Sequence, residues 1–396
     1  MSSQPLKIVA DAHIWGVKSA FSSLPGFDVD LHVVESRDIS HERLMDADVL
    51  LTRSSTRVGG DLLKATPVRF AATATIGDDH YDKQWLESNG ITWANAAGSS
   101  TGSVIEYMVT ALLELHAQER ISIPKTTLGI IGVGRIGSAL AATCKAMGVE
   151  LLLCDPPRER AEGGDDFASV DRLFSEADII TLHTPLILEG MDKTLHLIDA
   201  DFLSRFCGRG IINAARGSCI DNDALADWLD GNAERFAILD CWEGEPRVSR
   251  RLLAHPQLVI ATPHIAGHSL DGKAANTQYV YDALCRYLQV KPEWNMEMAL
   301  PLKSPVELTE CGADPWRGAH TAATTLYPIM RDVEAMKGWI KLADDALAKS
   351  FGEYRRHYPV RRSWDHVEIE LSNGRKVPEL FEMLIHVMRS HLLGSC

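Results

Sequence analysis

The sequence predicts an α/β protein with two successive parallel sheets flanked by helices, followed by a smaller α+β unit. Three observations predict it. Apolar runs of strand length alternate with helix-like stretches along most of the 396 residues. The polar residues of each run gather at its C-terminal end, which is where open α/β sheets bind ligands. Beyond about residue 290 the alternation stops, and "KPEWNMEMALPLKSPVELTECGADPWRG" is rich in proline and glycine.

In the first series, "KIVAD" (7–11) reads as a buried strand ending in a carboxylate. "DADVLLTRSST" (46–56), "VRFAATATIGDDHYD" (68–82) and "GITWANAAGSS" (90–100) give three more, with "ERLMDA" and "DKQWLESN" as intervening helical stretches. A long helix covers 101–120, because Val104, Ile105, Met108, Leu112 and Leu115 recur at three- and four-residue spacing. The second series opens with "LGIIGVGRIGSALAATCKAMG" and "ELLLCDPP". It continues through "ADIITLHTPL", "GIINAARG", "FAILDCWEGEP" and "LVIATPHIAG". The expected units are 1–99 with 268–295, then 100–267, then 296–396. The first sheet is completed by the chain returning after the second, and a cleft is expected between the two units. In the last unit "HVEIEL" reads as a short strand among helices.

Composition narrows the function classes. A 45% hydrophobic, 24% charged chain is ordinary for a globular protein. Its net charge of −14 argues against nucleic-acid binding. No apolar run is long enough to span a bilayer, and "MSSQPLKIVADAH" lacks a signal-peptide pattern. The eight cysteines are scattered, with no C-x-x-C pair. That argues against a zinc site or disulfide framework and for a cytoplasmic protein without a metal.

A nucleotide site is expected at "GIIGVGRIG". Gly132-x-Gly134-x-x-Gly137, with Arg135 and Ile136 between, follows an apolar strand and opens a helix. Glycines there permit a tight turn and close approach of a pyrophosphate, whose charge faces free helix N–H groups. Asp155 ends the next strand, 18 residues after Gly137, and would accept bonds from ribose hydroxyls while repelling a 2′-phosphate. This Rossmann-like arrangement favours NAD over NADP, although Arg158 and Arg160 are close by. An ordinary strand–helix turn is the alternative.

Charged groups then recur at late strand ends: Arg216 in "INAARGS", Asp240, Glu243 and Glu245 in "LDCWEGEP", and His264 in "TPHIAGH". They suit hydride transfer from a 2-hydroxy acid. A guanidinium holds a carboxylate bidentately. An imidazole, titrating ordinarily near ~6.5, takes the hydroxyl proton. A carboxylate beside it orients the ring. Arg216, Glu245 and His264 are the expected triad. Taken singly, each could equally be a structural ion pair or a hydrogen-bonded strand-end group.

"INAARG", "LDCWEGEP" and "TPHIAG", behind "GVGRIG" and "DP", resemble the D-isomer-specific 2-hydroxy acid dehydrogenase family. "TRSST", "TATIGDDH", "TPHIAGHSLDGKAANT" and the C-terminal "FGEYRRHYPVRRSW" extend the resemblance to a branch acting on a phosphorylated acid, over nearly the whole chain. The resemblance implies two Rossmann-like domains and a C-terminal dimerisation domain, hence a homodimer. It implies that Arg216 binds substrate, that Glu245 supports the histidine, and that His264 is the proton donor or acceptor. NAD would be met by the glycine turn, Asp155, Thr184, the backbone of Ala214, Ala215 and Arg216, Asp240 and Gly267. Ser54, Thr75 and His268 would touch substrate.

Three stretches depart from that branch: "DAHIWG", "AGSSTGSVIEY", and His268 where a tyrosine is expected. They leave open another acid such as phosphoglycerate. A non-catalytic NAD-sensing scaffold is the reading outside enzymology. Formate oxidation is disfavoured, because the family's formate enzymes carry glutamine where Glu245 stands. The phosphate is expected either at Arg53, Ser54, Ser55, Thr56 and Arg57, or at the arginine pairs 355/356 and 361/362. Those pairs could instead form a solvated helix face or an interface.

Overall fold

In the computed structural model, which describes residues 4–163, 166–302, 305–308, 314–371 and 377–393, the chain forms two compact units. The first comprises residues 1–100 and 269–302. Its sheet contains β1 (Leu6–Asp11), β2 (Val29–Val34), β3 (Val49–Thr52), β4 (Phe70–Thr73) and β5 (Thr92–Asn95). They are parallel and run in the order β2-β1-β3-β4-β5. Strand alternation divides the core. Ile8 and Ala10 pack on one face with Phe21, Leu51 and Phe70, while Val9 and Leu50 pack on the other with Leu44, Leu63 and Leu86. The returning helix, Leu270–Leu288, covers the first face with Val280, Tyr281 and Leu284. It is capped by Ser269, whose hydroxyl accepts from the Gly272 amide at 2.8 Å.

The second unit comprises 101–268 and 303–396. It holds β6 (Thr127–Ile131), β7 (Glu150–Cys154), β8 (Ile179–Leu182), β9 (Gly210–Asn213), β10 (Phe236–Leu239) and β11 (Leu258–Ala261). The order β11-β10-β9-β8-β6-β7 is parallel throughout. The chain steps from β6 to β7 on one side, then to β8 on the other, so the topological switch lies between β6 and β8. β8 to β11 have every residue buried, as strands covered on both faces require.

Three expectations are corrected. β2 is present although "FDVDLHVVE" was not read as a strand; it is a half-exposed edge whose Asp30 and His32 interrupt the apolar signal. "ERLMDA" forms only a 3₁₀ turn, Glu42–Leu44. The C-terminal segment does not stand as a third body. Leu308, Ala319, Ala323, Tyr327, Trp364, Phe381 and Leu384 share one apolar cluster with Val104, Met108 and Leu112 of the helix Thr101–Ala117. The apolar faces of the C-terminal helices are buried against that helix, so the segment shares the core of the second unit. The proline- and glycine-rich stretch supplies β12 (Pro305–Leu308), which pairs in parallel with β13 (Glu368–Leu371), the strand expected in "HVEIEL". Among the described residues no helix is long and apolar enough to cross a membrane, and no disulfide is formed. Cys311 and Cys396 lie outside the described residues.

Candidate active site

The glycine turn sits at the switch point, between β6 and the helix Arg135–Ala146. Gly132 has φ +88, and a side chain there would lie 2.8 Å from the His183 backbone that leaves β8. Gly134 is open, with nothing within 4 Å of an added Cβ, so backbone and ligand can approach closely. Gly137 packs on Gly132; its Cβ would fall 2.0 Å from the Gly132 carbonyl oxygen. The first helical amides, including those of Arg135 and Ile136, have no intrahelical acceptor and suit a pyrophosphate. Gly137→Ala is therefore expected to weaken NAD binding at least tenfold by prising the turn open, read by fluorescence titration.

Asp155 ends β7 and reaches back to this turn. Its carboxylate accepts from the Val133 amide at 2.8 Å and the Arg158 amide at 3.2 Å. The two nearby arginines are already compensated. Arg158 pairs with Glu162 at 2.7 Å, and Arg160 pairs with Asp192. With both guanidiniums paired, the Asp155 carboxylate at the turn would repel a 2′-phosphate, in keeping with NAD.

Residues following β8 and β9 continue the lining. Thr184 lies beside Cys219, with Oγ1 and Sγ 3.6 Å apart. Ala214 and Ala215 are nearly buried, and the Ala215 amide donates to Asn213 Oδ1 at 3.0 Å. His183, next to Thr184, was not singled out from the sequence. Burial pushes it down to about 4. Its Nε2 meets Thr181 Oγ1 at 3.1 Å, and Nδ1 is enclosed with no partner among the described residues. The unfolded imidazole titrates near ~6.5, so between that value and 4 only the unfolded chain takes up this proton. Stability should fall as pH drops through this window, by about 2 kcal/mol at ~pH 5. His183→Gln should flatten that dependence in urea denaturation.

The charged residues stand on three neighbouring strands. Arg216 follows β9 in extended conformation, with Nη1 donating to the Ala215 carbonyl at 2.8 Å. Glu245 follows β10, and His264 follows β11. His264 Nδ1 and Glu245 Oε2 are 2.8 Å apart. The other carboxylate oxygen accepts from the Trp242 amide at 2.7 Å, and the Trp242 ring donates to the Thr262 carbonyl at 2.9 Å. Burial pushes the Glu245 carboxyl up. The charge and hydrogen bond of His264, the Arg355 guanidinium and the Trp242 amide outweigh it, so the carboxyl ends below its usual range. An ionised Glu245 accepts a hydrogen bond from Nδ1–H, which keeps that proton on Nδ1 and leaves the Nε2 lone pair for chemistry. Glu243 is turned away, onto His196 and the Asn222 amide.

Asp240 is 1% exposed. Its carboxylate accepts from Thr262 Oγ1 at 2.7 Å, the Ile265 amide at 2.7 Å and the Ala266 amide at 3.0 Å. Tyr107, from the helix Thr101–Ala117, meets Thr262 Oγ1 at 2.9 Å. Gly267 is half-buried just beyond this loop. The His268 amide donates to the Ile265 carbonyl at 2.8 Å, and its ring stands edge-on to Tyr358 at 6.0 Å.

Cys241, Glu245 and His264 offer atoms within 4.8 Å of one another, a spacing that a metal ion could bridge. Burial pushes the Cys241 thiol well above its usual range, and it donates to the Ala215 carbonyl at 3.4 Å.

The expected basic cluster at 355/356 and 361/362 is divided. Arg361 is 5% exposed, donates to the Ala266 carbonyl at 3.0 Å, lies 3.8 Å from Glu106 and stacks on Tyr327 at 4.0 Å. It is structural, because burial and these partners consume its charge. Arg355 Nε donates to the His264 carbonyl at 3.2 Å, while Arg356 is exposed.

In the first unit, Ser54 and Thr75 follow the paired strands β3 and β4. Ser54 is exposed in the turn Arg53–Arg57, and Thr75 Oγ1 meets Thr73 Oγ1 at 2.7 Å. Beside them Ser55 donates to Ser36, which donates to Asp11 at 2.6 Å.

Residues 111–266 match the family model described as D-isomer specific 2-hydroxyacid dehydrogenase, NAD binding domain. Erythronate-4-phosphate dehydrogenase of Azotobacter vinelandii is 38% identical over 386 residues, covering 96% of this chain and 98% of that one. The protein of the same name from Chromohalobacter salexigens is 37% identical over 381 residues, covering 93% and 95%. Among solved structures, D-lactate dehydrogenase from Aquifex aeolicus, complexed with NAD and lactic acid, is similar with a TM-score of 0.59 at 21% identity. That match covers 71% of this chain and 95% of the other. NAD⁺-bound 3-phosphoglycerate dehydrogenase of Entamoeba histolytica gives 0.60 at 20% identity, covering 74% and 99%. These two likenesses speak for the fold alone.

Proposed function

The chain belongs to the D-isomer specific 2-hydroxyacid dehydrogenase family, and from that membership we propose that it oxidises the 2-hydroxyl of 4-phospho-D-erythronate with NAD. The product is the 2-oxo acid, 3-hydroxy-2-oxo-4-phosphobutanoate, in the formation of pyridoxal 5′-phosphate. The observation that carries the reading is the 2.8 Å His264–Glu245 contact on the strand end beside Arg216, in the unit that bears the glycine turn. The near-full-length relatives, named for this activity, support the substrate.

Arg216 holds the substrate carboxylate through its planar guanidinium. Glu245 keeps His264 in the tautomer with a free Nε2. That atom takes the hydroxyl proton as the C2–H bond breaks and the carbonyl forms. Bound NAD supplies the hydride acceptor. The proposed NAD contacts are the glycine turn from Gly132 to Gly137, Asp155, Thr184, the Ala214–Arg216 backbone, Asp240 and Gly267. Ser54, Thr75 and His268 are proposed substrate contacts, and the turn Arg53–Arg57 is proposed to receive the phosphate. The working form is proposed to be a cytoplasmic homodimer.

A substrate panel tests the reading. 4-Phosphoerythronate should surpass 3-phosphoglycerate and unphosphorylated erythronate at least tenfold in kcat/KM, measured as 2-oxo acid formed. Arg53→Ala should raise KM for the phosphorylated acid about tenfold or more and leave that for the unphosphorylated acid unchanged. Equal use of all three acids would sink the proposal.

A further inference from the structure

The loop from Thr262 to Ala266 is gripped on both sides. Its amide side rests on Asp240: the His264 amide donates to the Asp240 carbonyl at 2.7 Å, and the Ile265 and Ala266 amides donate to the Asp240 carboxylate. Its carbonyl side faces two guanidiniums, Arg355 on the His264 oxygen and Arg361 on the Ala266 oxygen. The grip matters because His264 has φ +54. A residue with a Cβ is strained in that left-handed conformation, which persists only where its surroundings over-determine it. The imidazole direction follows from that backbone setting.

Arg355 is itself held. It ends the helix Asp344–Arg356, with its guanidinium 5.9 Å from the Phe351 ring. Tyr354 and Tyr358 donate to the two oxygens of fully buried Asp332, at 2.6 and 2.7 Å. A fixed cation thus stands where it meets the His264 carbonyl and acts on Glu245 and Cys241.

We propose that Arg355 is a positioning residue for the reaction: it fixes the His264 backbone through its carbonyl and places a permanent positive charge beside the Glu245–His264 pair. The inference rests on His264 being the acid–base residue. The other ionisable groups in this cluster are Asp240, Cys241, Glu245 and Arg216. Tyr107 also faces Asp240 and Cys241, and the C-terminal segment brings two guanidiniums to the loop: Arg361, spent on Ala266, Glu106 and Tyr327, and Arg355, which acts on Glu245 and Cys241. Removing it should make the protonated imidazole easier to form, while a lysine would keep the charge without the guanidinium geometry.

The test compares Arg355→Gln and Arg355→Lys in the full-length enzyme, with Lys349→Gln as a control. Lys349 is an exposed cation on the same helix, 3.8 Å from Glu353. Arg355→Gln should lower kcat about ten- to a hundredfold, the scale expected for a misdirected catalytic group, with NAD affinity within about twofold. The acid limb of kcat/KM for oxidation should move to higher pH by on the order of one unit. Arg355→Lys should return the limb to its original place but leave kcat low, and Lys349→Gln should match the unaltered enzyme. An unchanged kcat and limb in Arg355→Gln would overturn the proposal. So would a rise in KM for the phosphorylated acid alone, which would make Arg355 a substrate ligand. Should Arg355→Gln fail to bind NAD or fold, Arg355→Lys decides: reduced kcat with the limb in place supports the role, and full kcat removes it. His264→Ala is measured alongside, because activity retained there would refute the base assignment itself, whatever Arg355 does.

Discussion

His264→Ala is expected to lower NAD reduction by 4-phosphoerythronate by about a thousandfold or more while NAD affinity stays within about twofold. The size follows from what Nε2 does. Without a base the hydroxyl proton must leave to water as the hydride departs. NAD affinity should be spared because the proposed pyrophosphate and ribose contacts, the glycine turn and Asp155, stand at β6 and β7, at the other end of the sheet order from β11. Glu245→Gln should fall between this variant and the parent, about a hundredfold down. The amide can still meet the ring but cannot stabilise its positive form. Rapid-mixing measurement of NADH formation, with NAD titrated by fluorescence, separates the two effects. A His264→Ala enzyme of full activity would mean that the 2.8 Å contact with Glu245 is structural. Loss of activity in His264→Ala also separates an enzyme from an NAD-sensing scaffold.

Arg216→Gln carries the second large effect, a fall in kcat/KM of about a thousandfold. A hydrogen-bonded charge pair removed from a partly buried site costs roughly 2–5 kcal/mol. The loss should appear in both KM and kcat, because the guanidinium fixes the acid and also sets the C2 hydrogen relative to the acceptor. Arg216→Lys should recover little of it, since an ammonium cannot make the two parallel bonds of a guanidinium. Position 217 reinforces the point about geometry. A side chain at Gly217 would fall 1.8 Å from the Trp242 carbonyl oxygen, so the turn presenting Arg216 is packed directly on the segment that leads to Glu245.

Strand ends were the most legible part of the sequence. β3, β4 and β6 to β11 are short apolar runs with polar tails, and those tails contain Asp155, Arg216, Glu245 and His264. The pattern is local, so it survives in a one-dimensional reading. β2 alternates Val29, Leu31 and Val33 with Asp30 and His32, the pattern of a half-buried edge strand, and so it escapes a search for continuous apolar runs of the kind that mark strands buried on both faces. The choice between Glu243 and Glu245 shows what a motif leaves open. Both carboxylates stand in "LDCWEGEP", and only the chain path sends one to His196 and the other to His264. The C-terminal arginines were legible as charge and illegible as partners. Read along the chain they are a basic patch. In the fold two of them meet backbone carbonyls some ninety residues back, at His264 and Ala266. Such non-local pairings leave no periodic trace. The joining of the C-terminal segment to the core of the second unit escaped for the same reason: Ala319, Ala322 and Ala323 look like weak apolar signals until they pack on the helix Thr101–Ala117.

The proposed reaction is direct hydride transfer from C2 of the phosphorylated acid, with His264 receiving the hydroxyl proton. It is tested most directly with 4-phosphoerythronate carrying deuterium at C2, incubated with the purified protein and NAD, and mass spectrometry of the nicotinamide product. One deuterium per NADH formed and a slowed single turnover are expected, with labelled NADH appearing about a thousandfold or more slowly from His264→Ala. NADH without the label, or labelled NADH from His264→Ala at the parent rate, would contradict that reaction.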